Sequence, residues 1–287
     1  MKLVVIGAGV MGRNYLRAAK AAGIPIAGII DSNAAQAKAA ATEYGCDITV
    51  EAHDIDAAVV AVPTAAHAAI AGPLLKRGVH CLVEKPFAAA EAECHALMEA
   101  AVIGRAVLQV GHIERFNPAI AALFASAIAP ETITTLTARR MGPASARVSD
   151  VSVIVDLMVH DLDIIIALKS APVTKVEAAG TMDHAEAALT FADGSIATLT
   201  ASRTAATRVR DLDVATNAGT YQLDYIAKSL TVNGGAPATF TGDALGAELT
   251  DFIDSIRDER QPRVTGAAGL AAMKLAWRVE AALKASA

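Results

Sequence analysis

Residues 3–12, LVVIGAGVMG, constrain this chain more than any other stretch. An apolar run enters Gly7-Ala8-Gly9-Val10-Met11-Gly12 and passes directly into helix-forming sequence. Strand, glycine turn and helix in that order fit a βαβ unit built to bring backbone amides against a phosphate. The first glycine permits the turn, the second clears space for a pyrophosphate, and the third lets helix and strand approach. Asp31 closes the next apolar run, about twenty residues beyond Gly12, where an acid binds a ribose and repels a 2′-phosphate. Ser32 and Asn33 follow it where an arginine would suit NADP, so the spacing predicts NAD.

The rest of the first half repeats this grammar. Strands are expected in IAGIID, AAVVAVPT, VHCLVEKP and AVLQVGHIERF, with helices between them. Continuous apolar strands separated by helices predict a doubly wound parallel sheet, covered on both faces. At Asn117-Pro118 the character changes. A helix over 119–127 precedes a Thr-rich strand, TITTLTARRMG, and then a very apolar helix over Ser152–Leu168. Strands with ADGS and NGG turns predict a mostly antiparallel sheet, closed by helices over 245–259 and 266–284. The expected domains are therefore 1–118, a dinucleotide-binding Rossmann unit, and 119–287, an α+β unit for substrate binding and oligomerisation.

Composition narrows the function classes. With 54% hydrophobic and 19% charged residues in 287, the chain is no disordered segment. Alanine makes up roughly a quarter of it, which favours helices over aromatic cores. A net charge of −5 without a Lys/Arg block argues against nucleic acid and anionic membranes as partners. Cys46, Cys81 and Cys94 show no metal-type spacing and suit reduced thiols in a cytoplasm. The opening residues run straight into the glycine motif and read as mature sequence rather than a signal peptide. The apolar stretch from Val151 to Leu168 carries Asp156, His160, Asp161 and Asp163, too much charge for a membrane span.

Several side chains stand out at the carboxyl ends of the expected strands, where open α/β sheets bind ligands. Pro63, Thr64 and His67 follow the third strand, and Glu84 and Lys85 end the fourth. On the apolar helix Asp156, His160 and Asp163 recur at i, i+4, i+7, one face of an α-helix. Buried charge on such a helix is either paired or used. A structural network and a metal pair are the competing readings; no third or fourth ligand is evident, so no metal is expected.

GAGVMG, the Glu84-Lys85-Pro86 tripeptide and the Asp-x-x-x-His of Asp156 and His160 together resemble the glucose–fructose oxidoreductase/inositol dehydrogenase (Gfo/Idh/MocA) family. The resemblance implies a Rossmann domain and a domain with an open, mostly antiparallel sheet, associating into homodimers or homotetramers through that sheet. It implies hydride transfer between NAD(P) and a secondary hydroxyl of a sugar-like substrate. Lys85, Asp156 and His160 are the implied catalytic group; whether His160 or Lys85 takes the proton stays open. The cofactor contacts are expected at Gly7, Gly9, Val10, Met11, Gly12, Asp31, Ser32, Pro63, Thr64, His67 and Glu84. VGHIERFNP (110–118) and DVSVIVDLMVHDLD (150–163) further resemble the branch that oxidises UDP-N-acetylglucosamine at its 3-position. Arg115, Arg140 and Arg147, with Asn117 and Asp163, are candidates for contacts to such a nucleotide sugar. A polyol such as inositol, or a non-catalytic dinucleotide-binding regulator, are the alternatives.

Overall fold

The computed structural model describes residues 1–48, 55–144 and 151–286. The chain divides into two compact units, Met1–Phe116 with Asp243–Leu270, and Asn117–Gly242 with Ala271–Ala287. Its α-helices are α1 (Val10–Ala22), α2 (Ala34–Tyr44), α3 (His67–Lys76), α4 (Glu91–Gly104), α5 (Pro118–Ala125), α6 (Val159–Leu168), α7 (Ala244–Arg257) and α8 (Gly266–Ser286).

In the first unit β1 (Leu3–Ile6), β2 (Gly28–Ile30), β3 (Asp47–Ile48), β4 (Ala57–Val60), β5 (His80–Glu84) and β6 (Leu108–Gly111) form one sheet. The order is β3-β2-β1-β4-β5-β6. Every pairing is parallel, as continuous apolar strands require. Strand β1 lies between β2 and β4, so the order reverses there and opens a crevice at the carboxyl ends. Strand β3 was not expected: at two exposed residues it is too short to show a pattern. The strand expected through Phe116 stops at Gly111, and Ile113–Phe116 form a 3₁₀ turn. That turn redirects the chain ahead of Pro118, which cannot donate to a ladder.

A cut at 118/119 assigns 243–270 to the second domain, yet this segment belongs to the first unit. The physical reason is the apolar face of α7. Leu245, Leu249 and Phe252 are fully buried in the cluster formed by Tyr15, Leu16 and Ala19 of α1 and by the sheet.

The second unit contains β7 (Ile133–Met141), β8 (Val173–Gly180), β9 (His184–Phe191), β10 (Ile196–Ser202), β11 (Val209–Thr216), β12 (Thr220–Asp224), β13 (Ser229–Val232) and β14 (Ala238–Thr239). They pair in the order β14-β13-β12-β11-β7-β10-β9-β8. All neighbours are antiparallel except β7 and β10. The ADGS turn joins β9 to β10 with Gly194 at φ +82°, and Asn233-Gly234 turns β13 into β14 at φ +53° and +67°. Ile133, Leu136, Ala138 and Arg140 of β7 face inward, while Thr135, Thr137 and Arg139 face out.

Arg140 was expected to offer its charge to a substrate. Instead it is 2% exposed. Its Nε and Nη2 donate to Asp161 Oδ2 and Oδ1 at 2.9 and 2.8 Å, and its guanidinium stacks 4.9 Å from the Tyr225 ring. An inward-facing position on β7 leaves a guanidinium only a buried partner, and α6 supplies it. Asn117, another expected substrate contact, is also internal. Its Oδ1 accepts the Ala119 amide at the start of α5, and its Nδ2 donates to the Tyr225 carbonyl. Arg147 lies outside the described residues.

Removing either partner of a buried ion pair leaves an uncompensated charge. Asp161→Asn is therefore expected to destabilise the protein by about 3 kcal/mol. Arg140→Leu combined with Asp161→Leu should cost less than Asp161→Asn. Urea unfolding of the three proteins measures both effects.

Candidate functional site

Because the first sheet is parallel, the carboxyl ends of β1, β2, β4 and β5 share one edge. Gly7 follows β1 at φ +105°, where a Cβ would collide with the Ala61 backbone after β4. A Cβ on Gly12 would collide with the Gly7 carbonyl, so the turn and the first helical turn fit only as glycine. Gly9 differs: a Cβ there meets nothing within 4 Å. It is the N-cap of α1 and provides no side-chain cap, and the first turn carries no acid. Orphan amides at an uncapped helix start, beside open space, favour an anion. The cradle fits the pyrophosphate of a dinucleotide, with Val10 exposed and Met11 half-buried at its rim.

Asp31, just past β2, binds this loop directly. Its Oδ2 accepts the Ala8 amide at 2.6 Å and its Oδ1 accepts the Asn33 amide at 2.7 Å. The carboxylate is half-buried, so it orders the glycine loop and still presents oxygen to solvent. Ser32 is exposed beside it, and Pro63 and Thr64 occupy the loop after β4.

Two expected cofactor contacts point elsewhere. His67 is 1% exposed, with Nδ1 3.2 Å from the Phe87 carbonyl and Nε2 3.0 Å from the Val62 carbonyl. Burial pulls its imidazole below the ordinary value, against the raising effect of those carbonyls. It clamps two loops together. Glu84 is 5% exposed; Oε1 accepts from the Tyr15 hydroxyl and Oε2 from the Lys85 amide. Its side chain supports the turn carrying Lys85. Lys85 itself is half-buried and precedes a cis peptide bond to Pro86.

In the second unit the apolar helix is not a single α-helix. Residues Ile154–Met158 form a π turn, with the Val159 amide donating to the Ile154 carbonyl, and α6 begins only at Val159. The β-branched run Val153-Ile154-Val155, all buried, is a weak helix former at this point. The expected i, i+4, i+7 stripe is not uniform in exposure. Asp156 and His160 remain half-exposed, but Asp163 is 1% exposed and offers no surface to a ligand.

Sequence reasoning missed Arg203. Its Nη1 lies 4.0 Å from Asp156 Oδ2, and it is anchored by Asp183 and by the Val151 carbonyl. A lone arginine after a Thr-rich strand carries no local signal of that pairing. Arg115 is half-buried in the 3₁₀ turn of the first unit, and its carbonyl accepts from Arg263. Among the described residues no cluster of three or more His, Cys, Asp or Glu could hold a metal ion, and no helix is long and apolar enough to cross a membrane.

Comparison with known proteins agrees with this geometry. Residues 1–112 match the Gfo/Idh/MocA model, an oxidoreductase family with an NAD-binding Rossmann fold. UDP-N-acetylglucosamine 3-dehydrogenase of Acidithiobacillus ferrooxidans is 33% identical over 99% of this chain and 98% of its own. Its solved structure superposes with a TM-score of 0.94 over the same shares of the two chains. The chain belongs to the Gfo/Idh/MocA oxidoreductase family.

An inositol 2-dehydrogenase of Saccharopolyspora erythraea is 28% identical over 96% of this chain and 89% of its own. The scyllo-inositol dehydrogenase of Lactobacillus casei, solved with bound NAD(H), is 19% identical. It shares the fold at a TM-score of 0.83, over 100% of this chain and 97% of its own. The Gfo/Idh/MocA member described here is thus a dehydrogenase with an NAD-binding Rossmann unit and a second unit built on a mostly antiparallel sheet.

Gly9 and Gly12 separate cleanly by experiment. Gly9→Ala should leave the melting temperature within a few degrees of wild type but weaken NAD binding about tenfold, read by isothermal titration calorimetry. Gly12→Ala should lower the melting temperature as well, because its methyl group meets backbone.

Proposed function

We propose that this protein is an NAD-dependent dehydrogenase acting on a secondary hydroxyl of a nucleotide sugar, with the 3-hydroxyl of UDP-N-acetylglucosamine as substrate. The observation that carries the reading is the polarity of the π turn and α6. Asp156 and His160 are its half-exposed ionisable residues, whereas Asp161 and Asp163 are buried. A buried helix that leaves a carboxylate and an imidazole accessible is suited to proton transfer. The near full-length similarity to the A. ferrooxidans enzyme supports the choice of substrate.

NAD is favoured over NADP. The Asp31 carboxylate repels a 2′-phosphate, and neither Ser32 nor Asn33 supplies a compensating cation. Gly9, Val10 and Met11 would hold the pyrophosphate, and Asp31 the adenosine ribose. Bound NAD supplies the hydride acceptor.

The protein's own residues handle the proton. Oxidation takes a hydride from the carbinol carbon and a proton from its oxygen. His160 accepts that proton, since an imidazole nitrogen is a suitable general base for a hydroxyl. Asp156 orients the ring and stabilises the imidazolium, while Arg203 lies 4.0 Å from Asp156 Oδ2. Lys85 stabilises the developing alkoxide. Arg115 is the remaining candidate, among the described residues named from sequence, for the substrate's phosphates.

A polyol such as myo-inositol is the second reading, favoured by the S. erythraea relative. NADH formation with UDP-N-acetylglucosamine against myo-inositol decides between them; turnover of the polyol alone overturns the nucleotide-sugar assignment. His160→Asn and Lys85→Ala are each expected to lower kcat by about a hundredfold or more. NAD affinity should stay within about threefold, since neither residue belongs to the glycine loop. Wild-type turnover in both variants would sink the catalytic assignment.

A further inference from the structure

Three side chains distant in sequence meet inside the first unit: Tyr15 of α1, Glu84 at the end of β5 and Glu248 of α7. Tyr15 and Glu248 are 0% exposed and Glu84 is 5% exposed. The Tyr15 hydroxyl oxygen lies 2.9 Å from Glu84 Oε1 and 2.8 Å from Glu248 Oε2. A phenol carries a single proton and can donate to only one of these oxygens. The other short contact then joins two acceptors, unless a carboxyl group brings a proton of its own.

The surroundings say which carboxyl does. Glu84 Oε2 accepts the Lys85 amide at 3.0 Å, a bond that favours an ionised carboxylate. Glu248 Oε1 is buried with no hydrogen-bond partner among the described residues. Nor does any described cationic side chain pair with Glu248. An ionised carboxylate so placed would be very costly, whereas a neutral acid leaves only a carbonyl oxygen unpaired. Burial, followed by the nearby Glu84 charge, pushes Glu248 well above the usual carboxylate range.

We propose that Glu248 is a buried, protonated positioning residue that donates to Tyr15, so that Tyr15 donates to Glu84 and Glu84 fixes the peptide bearing Lys85. The chain of donors then balances: one acid proton, one phenol proton and one amide proton serve three acceptors. The surrounding residues are built for it. Gly111 of β6 leaves room for the Glu84 side chain, since a Cβ there would lie 3.2 Å from Glu84 Cδ. Gln109 Nε2 donates to the Glu248 carbonyl at 3.1 Å and holds α7 in place.

The proton is tested without reference to turnover. Infrared difference spectra of wild type against Glu248→Gln, both with NAD at neutral pH, should show loss of the carbonyl stretch of a protonated carboxylic acid. Loss of carboxylate bands alone would overturn the assignment. The positioning step, which rests on the catalytic reading of Lys85, is tested by kinetics below the melting temperature of every variant. Tyr15→Phe should lower kcat about tenfold with the KM for NAD within about twofold. Glu248→Gln, whose amide N–H replaces the acid proton, should recover turnover that Glu248→Leu loses. Equal kcat in wild type, Tyr15→Phe and Glu248→Leu would reject positioning. Wild-type turnover in Lys85→Ala would remove the reading of Lys85 and the positioning step with it, and the infrared band would still decide the proton.

Discussion

The approach of backbone to backbone at Gly7 and Gly12 is the constraint on which the first unit depends. Strand β1 ends, turns and becomes helix within a few residues only because no Cβ stands between Gly7 and Ala61, or between Gly12 and the Gly7 carbonyl. That closeness aims the start of α1, with its orphan amides, at the carboxyl edge of the sheet. Asp31 completes the arrangement by accepting the Ala8 amide. The acid that marks the end of β2 therefore braces the loop, and in the proposed function it also binds the adenosine ribose. Its two roles are compatible because a carboxylate has more lone pairs than those two amides occupy.

Much of this was legible from sequence because its determinants are local. Glycine spacing, the acid after the second apolar run and the alternation of strands and helices all act within one βαβ unit. What sequence left hidden was the partner of each polar side chain. Arg140 looked like an available cation until its inward position on β7 put it against Asp161. Asn117 is a polar group near the expected site, but directly before Pro118 its side chain caps α5. His67 and Glu84 sit at the correct edge of the sheet, yet each turns into the protein to satisfy loop backbone. Position along a strand predicts the edge; it does not predict which way a side chain turns once past it.

The π turn shows a different failure. A stripe at i, i+4, i+7 presumes a uniform 3.6-residue turn, and one widened turn shifts every angle before it. His160 and Asp163 both follow that turn in regular α6, so it is burial along α6, not the turn, that puts Asp163 in the interior with Asp161 while Asp156 and His160 stay accessible. The apolar residues around them gave no warning, because a π turn and an α-turn draw on the same buried side chains. The Arg140–Asp161 fork holds α6 from the sheet side, so α6 has a fixed footing just after the turn that changes register.

The return of 243–270 to the first unit follows from the apolar face of α7. A helix contributing only apolar residues could pack on α1 through Leu245, Leu249 and Phe252 alone. Yet α7 also buries Glu248, which burial disfavours as an anion. Its position 233 residues from Tyr15 put the pairing beyond any local pattern. A leucine there would pack at lower electrostatic cost but would leave the Tyr15 hydroxyl with Glu84 as its only partner of the two. With Glu248 neutral, the hydroxyl is held from both sides, and its hydrogen points at Glu84. The orientation of a single O–H bond is then fixed by a helix that arrives from the far end of the chain. Glu84 accepts that bond on one oxygen and the Lys85 amide on the other, so the geometry of the Lys85 turn depends on where α7 packs.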